Sequence, residues 1–410
     1  MPAAPYSKMT SHAAGSSSES MHILHIISQI DPRTGGPAEA LRGLTLAQRQ
    51  AGLAVRILAT YRADGDLSLA QSLRDDGVEV ELVGPCVTPL MLHRHLAPST
   101  AANVAWAQVV HIHACWEQVQ HLAARQAYRQ GKPYIIRPCG MLDPWSLRQS
   151  RWRKRLYMAW RLRRNLRHAS LLHFTTSTER DLTASLRLTA PAVVEPNGLD
   201  LSEFERLPPA GTFRQAFPQL GQRPYVLFLS RIHPKKGLDL LIPAFAQAAP
   251  PDHVLVIAGP AEEAYLEQVQ QMVRDHGLSD RVLFTGMVRG QAKVAALAEA
   301  ELFALSSYQE NFGIAVIEAL AAGTPVLISD QVNIHAQIAA AGVGGVVPAQ
   351  VEPLAEALRQ WLTQPHQRAQ AAAKARPFVW EHYDWNRIAQ RWVGHYQRLL
   401  DEHAQASPAR

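Results

Sequence analysis

Short apolar runs and stretches with helical spacing alternate along the chain from residue 21 onward. The first run, His22–Ile27, is followed by the glycine turn Gly35-Gly36-Pro37 and by a helix-period stretch from Ala38 to Gln50. The same order recurs several times. Further strands are predicted at 54–59, 78–83, 109–113, 134–137, 171–175 and 192–195. Strands that alternate with crossover helices build a parallel, doubly wound sheet.

A second series of the same kind begins at residue 225. Its strands are predicted at 225–230, 253–258, 282–285, 302–305, 326–328 and 344–347. The stretch between the two series, from Leu207 to Pro224, is rich in Pro, Gly and Arg, and we interpret it as a linker. The sequence therefore predicts an α/β fold of two Rossmann-like, doubly wound domains that face a cleft, where ligands bind outside the carboxyl ends of the strands.

These patterns divide the chain into four parts. We place a disordered extension at residues 1–20, the first domain at 21–200, the second domain at 201–380 and a C-terminal helix at 381–410. The sequence leaves open where this helix packs, and one option is that it returns to the first domain. At roughly 150 residues per domain, 410 residues are enough for two or three domains.

Cysteine usage and hydropathy limit the cellular context. The chain has three cysteines, Cys86, Cys115 and Cys139, which are too few for a disulfide framework and too far apart for a zinc site. Residues 1–20 lack the apolar segment of a secretion signal, and no run of about 20 apolar residues is present. We therefore expect a cytoplasmic protein.

The net charge of +6 is concentrated in one segment. From Arg148 to Arg167 there are eight Arg and one Lys, and no Asp or Glu occurs between Asp143 and Glu179. Apolar residues recur there at helical spacing, namely Trp152, Leu156, Ala159, Trp160 and Leu166. The pattern fits a helix that lies peripherally on an anionic membrane surface, or a groove for a phospholipid-linked acceptor. The candidate contacts are Arg151, Trp152, Arg155 and Trp160.

Two other interpretations of this basic segment stay open. It can turn its apolar stripe towards the core and leave a solvated basic face outside. It can also bind nucleic acid, but no recognised nucleic-acid module surrounds it, so we predict no nucleic-acid partner.

Two motifs supply groups that bind anions. Gly35 and Gly36 let the backbone turn sharply and present N–H groups at a helix N-terminus to an anion or a sugar hydroxyl. Arg231 ends the first strand of the second series, and Lys236 follows five residues later at a helix start. Two cations on one rim of a sheet suit a diphosphate. The alternatives are a structural glycine turn and a solvated basic turn.

Carboxylates and histidines follow other strands. Glu310 falls in a loop, and Glu318 lies about two turns inside the next helix. Because that helix is otherwise apolar, Glu318 needs a partner, which ligand hydroxyls would supply, unless it is an exposed helical glutamate. His111 and His113 close a strand of the first series. We expect His111 to pack within the sheet, whereas His113 is open to a structural or a functional role.

Together these residues resemble a known family. Glu310 and Glu318, with Phe312-Gly313 between them and Gly323-Thr-Pro325 after them, join Arg231 and Lys236-Gly237 in a pattern similar to that of the family-4 retaining glycosyltransferases of the GT-B fold, or glycosyl transferases group 1. The segment Pro196-Asn-Gly-Leu-Asp200 and the Gly35-Gly36 loop match the same family. The similarity runs from Met21 to beyond Trp380.

The resemblance implies a role for each matching residue. The second domain would hold the nucleotide-sugar donor, with Arg231 and Lys236 on the diphosphate and Glu318 on the ribose. Glu310 and the backbone of Asn311, Phe312 and Gly313 would bind the transferred sugar, and Gly286 and Met287 would lie beside the base. In the first domain, which would bind the acceptor, Gly35 and Gly36 would approach the phosphates or the acceptor. His113 and Glu310 are the residues assigned to catalysis.

The expected activity is retaining transfer of a sugar from a UDP- or GDP-sugar to a hydroxyl of a glycan or lipid-linked acceptor. The resemblance implies no metal or other cofactor, and it favours the assembly of a bacterial surface polysaccharide or lipid-linked glycan. Cys139 departs from the family, because relatives often carry His there, which leaves the role of its loop open. A sugar-nucleotide epimerase of similar fold and a catalytically silent binding subunit at the membrane are the alternatives.

Overall fold

The computed structural model of the protein describes residues 20–406. The predicted extension at 1–20 lies, apart from its last residue, outside the described residues. The two series of strands form two separate parallel sheets, as the sequence predicts.

The first sheet has seven parallel strands in the order β3-β2-β1-β4-β5-β6-β7. Its strands are β1 (His22–Ile27), β2 (Ala54–Thr60), β3 (Glu79–Val83), β4 (Val109–His113), β5 (Tyr134–Arg137), β6 (Leu171–Phe174) and β7 (Ala192–Val194). The helices are α1 (Gly36–Gln50), α2 (Ser68–Asp75), α3 (Leu96–Trp106), α4 (Gln118–Arg129), α5 (Pro144–Arg148), α6 (Arg151–Tyr157), α7 (Arg163–Arg167) and α8 (Ser177–Leu182).

The second sheet has six parallel strands in the order β10-β9-β8-β11-β12-β13. Its strands are β8 (Tyr225–Leu229), β9 (Val254–Ala258), β10 (Val282–Gly286), β11 (Leu302–Leu305), β12 (Val326–Ser329) and β13 (Gly344–Val347). The helices are α9 (Ser202–Glu205), α10 (Thr212–Ala216), α11 (Leu238–Ala248), α12 (Glu263–Asp275), α13 (Gly290–Ala298), α14 (Ile314–Ala321), α15 (His335–Ala341), α16 (Val351–Thr363), α17 (Pro365–His382) and α18 (Trp385–Ala406).

Burial on both faces explains why the central strands are continuous apolar runs. Every residue of β8 and β9 is buried, because helices cover both sides of a parallel sheet. In each sheet the strand order reverses beside the first strand, between β1 and β4 and between β8 and β11. Such a reversal opens a crevice at the carboxyl ends of the strands, where ligands of doubly wound sheets bind.

The C-terminal helix α18 returns to the first domain. Trp392 and Tyr396 are fully buried in the core that β1 and α1 share. The Gln48 Nε2 amide on α1 donates a hydrogen bond of 2.8 Å to the Tyr396 hydroxyl. Of the open placements of this helix, the structure shows the return to the first domain, where α18 shares a core with β1 and α1.

The interpretation of 207–224 as a linker is wrong. The segment contains helix α10 and a 3₁₀ turn at Pro218–Leu220, and Phe213 and Leu220 are fully buried in the second core. The Phe213 ring packs against Tyr225 at a centroid distance of 5.7 Å. Its Pro and Gly residues make turns, but the segment's few apolar side chains bury enough surface to fix it on the second domain.

Candidate active site

Loops at the carboxyl ends of the two sheets meet across the cleft. Gln309, after β11, donates a hydrogen bond of 2.5 Å to the Asp143 carboxylate in the loop after β5, and the Asn311 amide donates one of 3.3 Å to the Thr175 hydroxyl. A Cβ on Gly140 would lie 2.6 Å from Asn311 Oδ1, so this contact requires a glycine. The loop predicted to bind the transferred sugar therefore touches the first domain directly.

Lys236 and Glu310 form an ion pair with each other. Their side chains are 12% and 21% exposed, so the pair is largely shielded from water. Lys236 ends a 3₁₀ turn, and it is followed by Gly237 with a φ of 71°. A Cβ at Gly237 would lie 2.1 Å from the Ser306 carbonyl oxygen, so only glycine lets this turn approach the end of β11. A cation and a carboxylate are thus held side by side at the rim of the cleft.

Arg231 lies exposed at the end of β8. Within residues 20–406 it makes no hydrogen bond or ion pair with another side chain. Desolvation, followed by the charge of Arg231, lowers the pKa of the nearby His233, and Lys235 and Lys236 add to the effect. The rim therefore presents concentrated positive charge, which suits a diphosphate.

Glu318 has a protein partner that the sequence did not reveal. Its carboxylate accepts a hydrogen bond of 2.7 Å from the Lys293 ammonium on α13, and Glu203 lies 3.6 Å from the same ammonium. Burial opposes the charge on Lys293, but the Glu318 and Glu203 carboxylates raise its pKa above the ordinary value. The carboxylate of Glu318 is 13% exposed. Ligand hydroxyls are thus not needed to stabilise it. Its second oxygen has no hydrogen-bond partner among the described residues and stays available to them.

The segment Asn311-Phe312-Gly313 leads into helix α14. Asn311 Oδ1 is buried without a hydrogen-bond partner in the described structure. The Phe312 side chain is buried and packs edge-on against Tyr383 at 5.9 Å, so only its backbone is open to a ligand. Gly313, with a φ of 81°, is the N-cap of α14. Free N–H groups at this helix start suit an oxygen-rich ligand.

The other predicted donor residues lie at strand ends. Gly286 closes β10 with a φ of 67°, and its carbonyl oxygen accepts a hydrogen bond of 2.8 Å from Gly259 N–H. Met287 is 50% exposed, and its sulfur lies 2.8 Å from Arg289 Nε. The assignment of Gly286 and Met287 to the base stays a prediction.

The Gly35-Gly36 turn leaves open space at the start of α1. Gly35 has a φ of 86°, and α1 begins at Gly36. No protein atom within the described residues lies within 4 Å of a Cβ placed at either glycine. The start of α1 is thus not blocked by a neighbouring side chain, but a contact with an anion or a sugar stays a prediction.

His113 closes β4 beside β1, at the crevice of the first sheet. It is buried, its Nε2 lies 2.9 Å from His25 Nδ1, and its Nδ1 has no partner. Desolvation lowers the pKa of His113 well below its ordinary value, and the charge of Arg137 acts in the same direction. The imidazole is therefore neutral at pH 7. His111 packs within the sheet against Trp392, at 4.8 Å between ring centroids, as expected.

The loop after β5 is held by a buried carboxylate. Glu179 accepts hydrogen bonds from the backbone N–H groups of Gly140 and Thr175, at 2.6 and 2.7 Å. Cys139 is half-buried with a φ of 55°, and burial raises the pKa of its thiol. A thiol that resists ionisation is a poor nucleophile, which argues against nucleophilic catalysis by Cys139.

Three histidines are close enough to share a metal ion. Ligand nitrogens of His25, His111 and His113 all lie within 4.8 Å of one another, and all three residues are buried. Neutral imidazoles are metal ligands, but every ring nitrogen of these three histidines except His113 Nδ1 is engaged in a hydrogen bond to another side chain. The expectation that transfer needs no metal stays a prediction.

The basic segment is an interrupted helix. Helix α6 begins at Arg151, a π-helical turn covers Met158–Leu162, and α7 follows. Trp152, Leu156 and Trp160 are 78%, 67% and 79% exposed. The core-facing interpretation is therefore wrong for these three residues, because only the α7 part of the stripe, with Leu166, enters the core. No helix within residues 20–406 has the length and hydrophobicity that crossing a membrane requires.

The chain matches two family models in succession. The Glycosyl transferase 4-like domain matches residues 35–198, and Glycosyl transferases group 1 matches residues 211–378. The sequence is 24% identical to the GDP-mannose:cellobiosyl-diphosphopolyprenol alpha-mannosyltransferase of Xanthomonas campestris, over 93% of this chain and 97% of that protein. It is 30% identical to the D-inositol 3-phosphate glycosyltransferase of Mycobacteroides abscessus, over 57% of this chain and 53% of that protein.

The fold is similar to that of solved glycosyltransferases. Anabaena HepE in complex with UDP aligns with a TM-score of 0.76 at 21% identity, over 92% of this chain and 100% of that chain. The two doubly wound domains and their charged cleft define a glycosyltransferase of the GT-B fold. The chain belongs to the glycosyl transferases group 1, with the 4-like domain as its first half.

Proposed function

We propose that this enzyme transfers a sugar from a UDP- or GDP-sugar to a hydroxyl of a glycan or lipid-linked acceptor, with retention at the anomeric carbon. The observation that carries the proposal is the Lys236–Glu310 pair, held where the donor loop touches the first domain. The Xanthomonas relative uses GDP-mannose, and HepE is complexed with UDP, which supports a nucleotide-sugar donor. The acceptor named for the Xanthomonas relative is cellobiosyl-diphosphopolyprenol, which supports lipid-linked glycan assembly as the context of this transfer.

The site chemistry follows from the charges that develop during transfer. Breaking the bond between sugar and diphosphate places negative charge on the leaving group, which Arg231, Lys236 and the start of α14 would stabilise without a metal. Positive charge develops on the sugar ring, next to the Glu310 carboxylate. His113 and Glu310 would position the sugar for attack from the same face that the diphosphate leaves.

The nucleotide would lie along the carboxyl edge of the second sheet. Glu318 would accept hydrogen bonds from the ribose hydroxyls while Lys293 keeps its other side paired. The base would lie beside Gly286 and Met287, where the exposed Met287 side chain offers an apolar surface. In the first domain, Gly35 and Gly36 would approach the phosphates or the acceptor.

Titration with nucleotides tests this proposal. UDP, GDP and ADP, each titrated into the protein by calorimetry, should give one base that binds at least about tenfold more tightly than the others, because a built pocket discriminates among bases. Binding of none of the three nucleotides would contradict the donor site. Binding without transfer would favour a silent subunit, and conversion of the donor sugar without an acceptor would favour an epimerase.

We further propose that the exposed face of α6 and the π-helical turn binds an anionic membrane surface. Trp152 and Trp160 would enter the interface, while Arg151 and Arg155 flank Trp152 with their guanidinium groups 5.9 and 5.5 Å from its ring centroid. No arginine of the described segment 148–167 forms an ion pair with a carboxylate. Beside Trp160 lies a cavity of about 410 Å³, whose cationic lining residues are Arg125, Arg129, Arg161 and Arg164. Apolar anchors among free cations fit lipid headgroups.

Vesicle binding tests the proposed membrane surface. On vesicles that contain phosphatidylglycerol, replacing both Trp152 and Trp160 by Ala should weaken binding by about tenfold. The reason is that two large apolar side chains are no longer transferred from water into the membrane interface. Arg151→Gln with Arg155→Gln should weaken binding and reduce its dependence on salt. Arg274→Gln, on an exposed face of α12, is the matched control. Binding that neither pair of changes alters would refute the membrane surface.

A further inference from the structure

A continuous chain of buried hydrogen bonds runs along one face of the first sheet. It links side chains from β1, α1, α18, β4 and β6. In order, the participants are His113, His25, Gln48, Tyr396, His111, His173 and the carbonyl oxygen of Glu195. The six donor–acceptor distances lie between 2.8 and 3.1 Å. All six side chains are at most 2% exposed, so water does not compete for these bonds.

One end of this hydrogen-bond chain fixes the donor and the acceptor of every hydrogen bond in it. The Glu195 carbonyl can only accept, so His173 Nε2 carries a proton and donates to it. Desolvation holds the pKa of His173 well below its ordinary value, so the ring is neutral and its Nδ1 is an acceptor. His111 must then donate from Nε2 to His173, and its own Nδ1 accepts from the Tyr396 hydroxyl.

Tyr396 passes this direction on to the other half of the chain. A tyrosine hydroxyl has one proton, and Tyr396 uses it on His111, so its oxygen must accept from the Gln48 NH₂ group. The Gln48 amide oxygen then accepts from His25 Nε2. His25 Nδ1 is left as the acceptor for the proton on His113 Nε2. The free Nδ1 of His113 is consequently an unprotonated acceptor.

We propose that Gln48 and Tyr396 are positioning residues that hold His113 as the Nε2–H tautomer, with the Nδ1 lone pair free to accept a hydrogen bond from a hydroxyl of the bound sugar. The inference rests on the proposed function. The hydrogen-bond chain contains four histidines, and His113 Nδ1 is the one ring nitrogen among them that has no protein partner. This nitrogen is buried at the cleft end of β4.

Helix α18, which returns from the second domain and carries Tyr396, thereby helps to position His113 in the first domain. Without the Tyr396 hydroxyl, the Gln48 amide can turn over, His25 can reverse, and His113 can carry its proton on Nδ1. A protonated Nδ1 cannot accept a hydrogen bond, so part of the enzyme would present the wrong group to the sugar. A wrong histidine tautomer is known to reduce catalysis strongly in other enzymes.

Tyr396→Phe tests the proposal, because it removes the hydroxyl and keeps the ring. We expect kcat/KM for sugar transfer to fall by about tenfold or more, while the Kd for the nucleoside diphosphate stays within about twofold. Tyr134→Phe is the matched control. It also removes a buried hydroxyl from the first domain. That hydroxyl donates to the Asn165 carbonyl on the opposite face of the sheet and is not part of the hydrogen-bond chain.

Two further measurements separate positioning from a loss of stability. In a His113→Leu background, Tyr396→Phe should cause no further loss of kcat/KM, because a residue that acts through His113 has nothing left to position. An equal loss in both backgrounds, or wild-type kcat/KM in Tyr396→Phe, would overturn the proposal.

The ring nitrogens of His113 can also be observed without any activity. Two-bond ¹H–¹⁵N correlation spectra of the full chain should show a protonated Nε2 and a bare Nδ1 in the wild type, and a mixture of tautomers in Tyr396→Phe. A wild-type Nδ1–H would overturn the proposal, as would a shift of these signals on titration with Zn²⁺ that marks a metal site. If no donor supports transfer but the spectra are as expected, the proposed function fails and the tautomer assignment stands.

Discussion

Glu318→Ala is expected to weaken binding of the nucleoside diphosphate by about 100-fold or more. Two charge-assisted hydrogen bonds to ribose hydroxyls, each worth about 1.5–3 kcal/mol, would be lost together. The Lys293 ammonium would also lose its nearest partner, at 2.7 Å. Calorimetric titration with the preferred nucleotide measures the effect, and a melting curve confirms that the variant is folded.

Glu203→Gln is the matched control for this change. Glu203 is the second carboxylate near Lys293, at 3.6 Å, but its side chain is 47% exposed and lies outside the predicted ribose site. Binding should stay within about twofold of the wild type, since exposed ion pairs contribute little. Equal losses in both variants would show that the charge balance of Lys293, rather than a ribose contact, determines binding.

Lys236→Ala is expected to weaken binding of the nucleoside diphosphate by about 1.5–3 kcal/mol, the range for a hydrogen bond to a charged group. The change removes a cation from the diphosphate, and it also leaves the Glu310 carboxylate without its partner close to the phosphates. Repulsion between two anions should then add to the loss. Titration of UDP, GDP and the preferred nucleotide-sugar measures the total loss.

Lys235→Ala separates a specific contact from the general positive charge of the rim. Lys235 belongs to the same turn, but its ammonium lies over the Trp145 ring, 4.6 Å from the centroid. We expect a clearly smaller loss of affinity than in Lys236→Ala. Unchanged affinity in Lys236→Ala would remove Lys236 from the diphosphate site.

The fold could be predicted from the sequence because its strands are short, continuous apolar runs separated by helical patterns. Strands of a sheet covered on both faces are mostly apolar, as β8 and β9 are throughout, and this signal is strong even without tertiary information. The composition of the stretch 207–224 is that of a loop, so the sequence predicts a linker there. Only the three-dimensional structure shows that Phe213 and Leu220 are buried.

The candidate site was predictable where a residue follows a strand end and less so where a partner comes from elsewhere in the chain. Glu310, Lys236 and Arg231 all lie at the carboxyl edge of the second sheet, as the motifs predict. Lys293, by contrast, stands in an ordinary helical sequence 25 residues from Glu318, and no local signal marks it as a partner.

In the hydrogen-bond chain of His113, too, the sequence does not reveal partners that are distant along the polypeptide. His25 and His111 lie opposite each other in adjacent strands, which the alternation of the strands could have suggested. Tyr396 contacts His111 across 285 residues of sequence, on a helix whose placement the sequence left open. Which nitrogen of His113 carries a proton depends on that contact, so it could not be inferred from the sequence alone.

Product analysis of a single transfer reaction tests the central claim most directly. The enzyme would be incubated with GDP-mannose or UDP-glucose and a synthetic glycosyl-diphosphopolyprenol, and the new linkage would be examined by NMR through its one-bond ¹³C–¹H coupling. The proposed function predicts release of the nucleoside diphosphate and an α-linked product, the same anomeric configuration as the donor. A β-linked product would contradict retention, and the absence of any transferred sugar in the presence of bound donor would contradict the proposed glycosyl transfer itself.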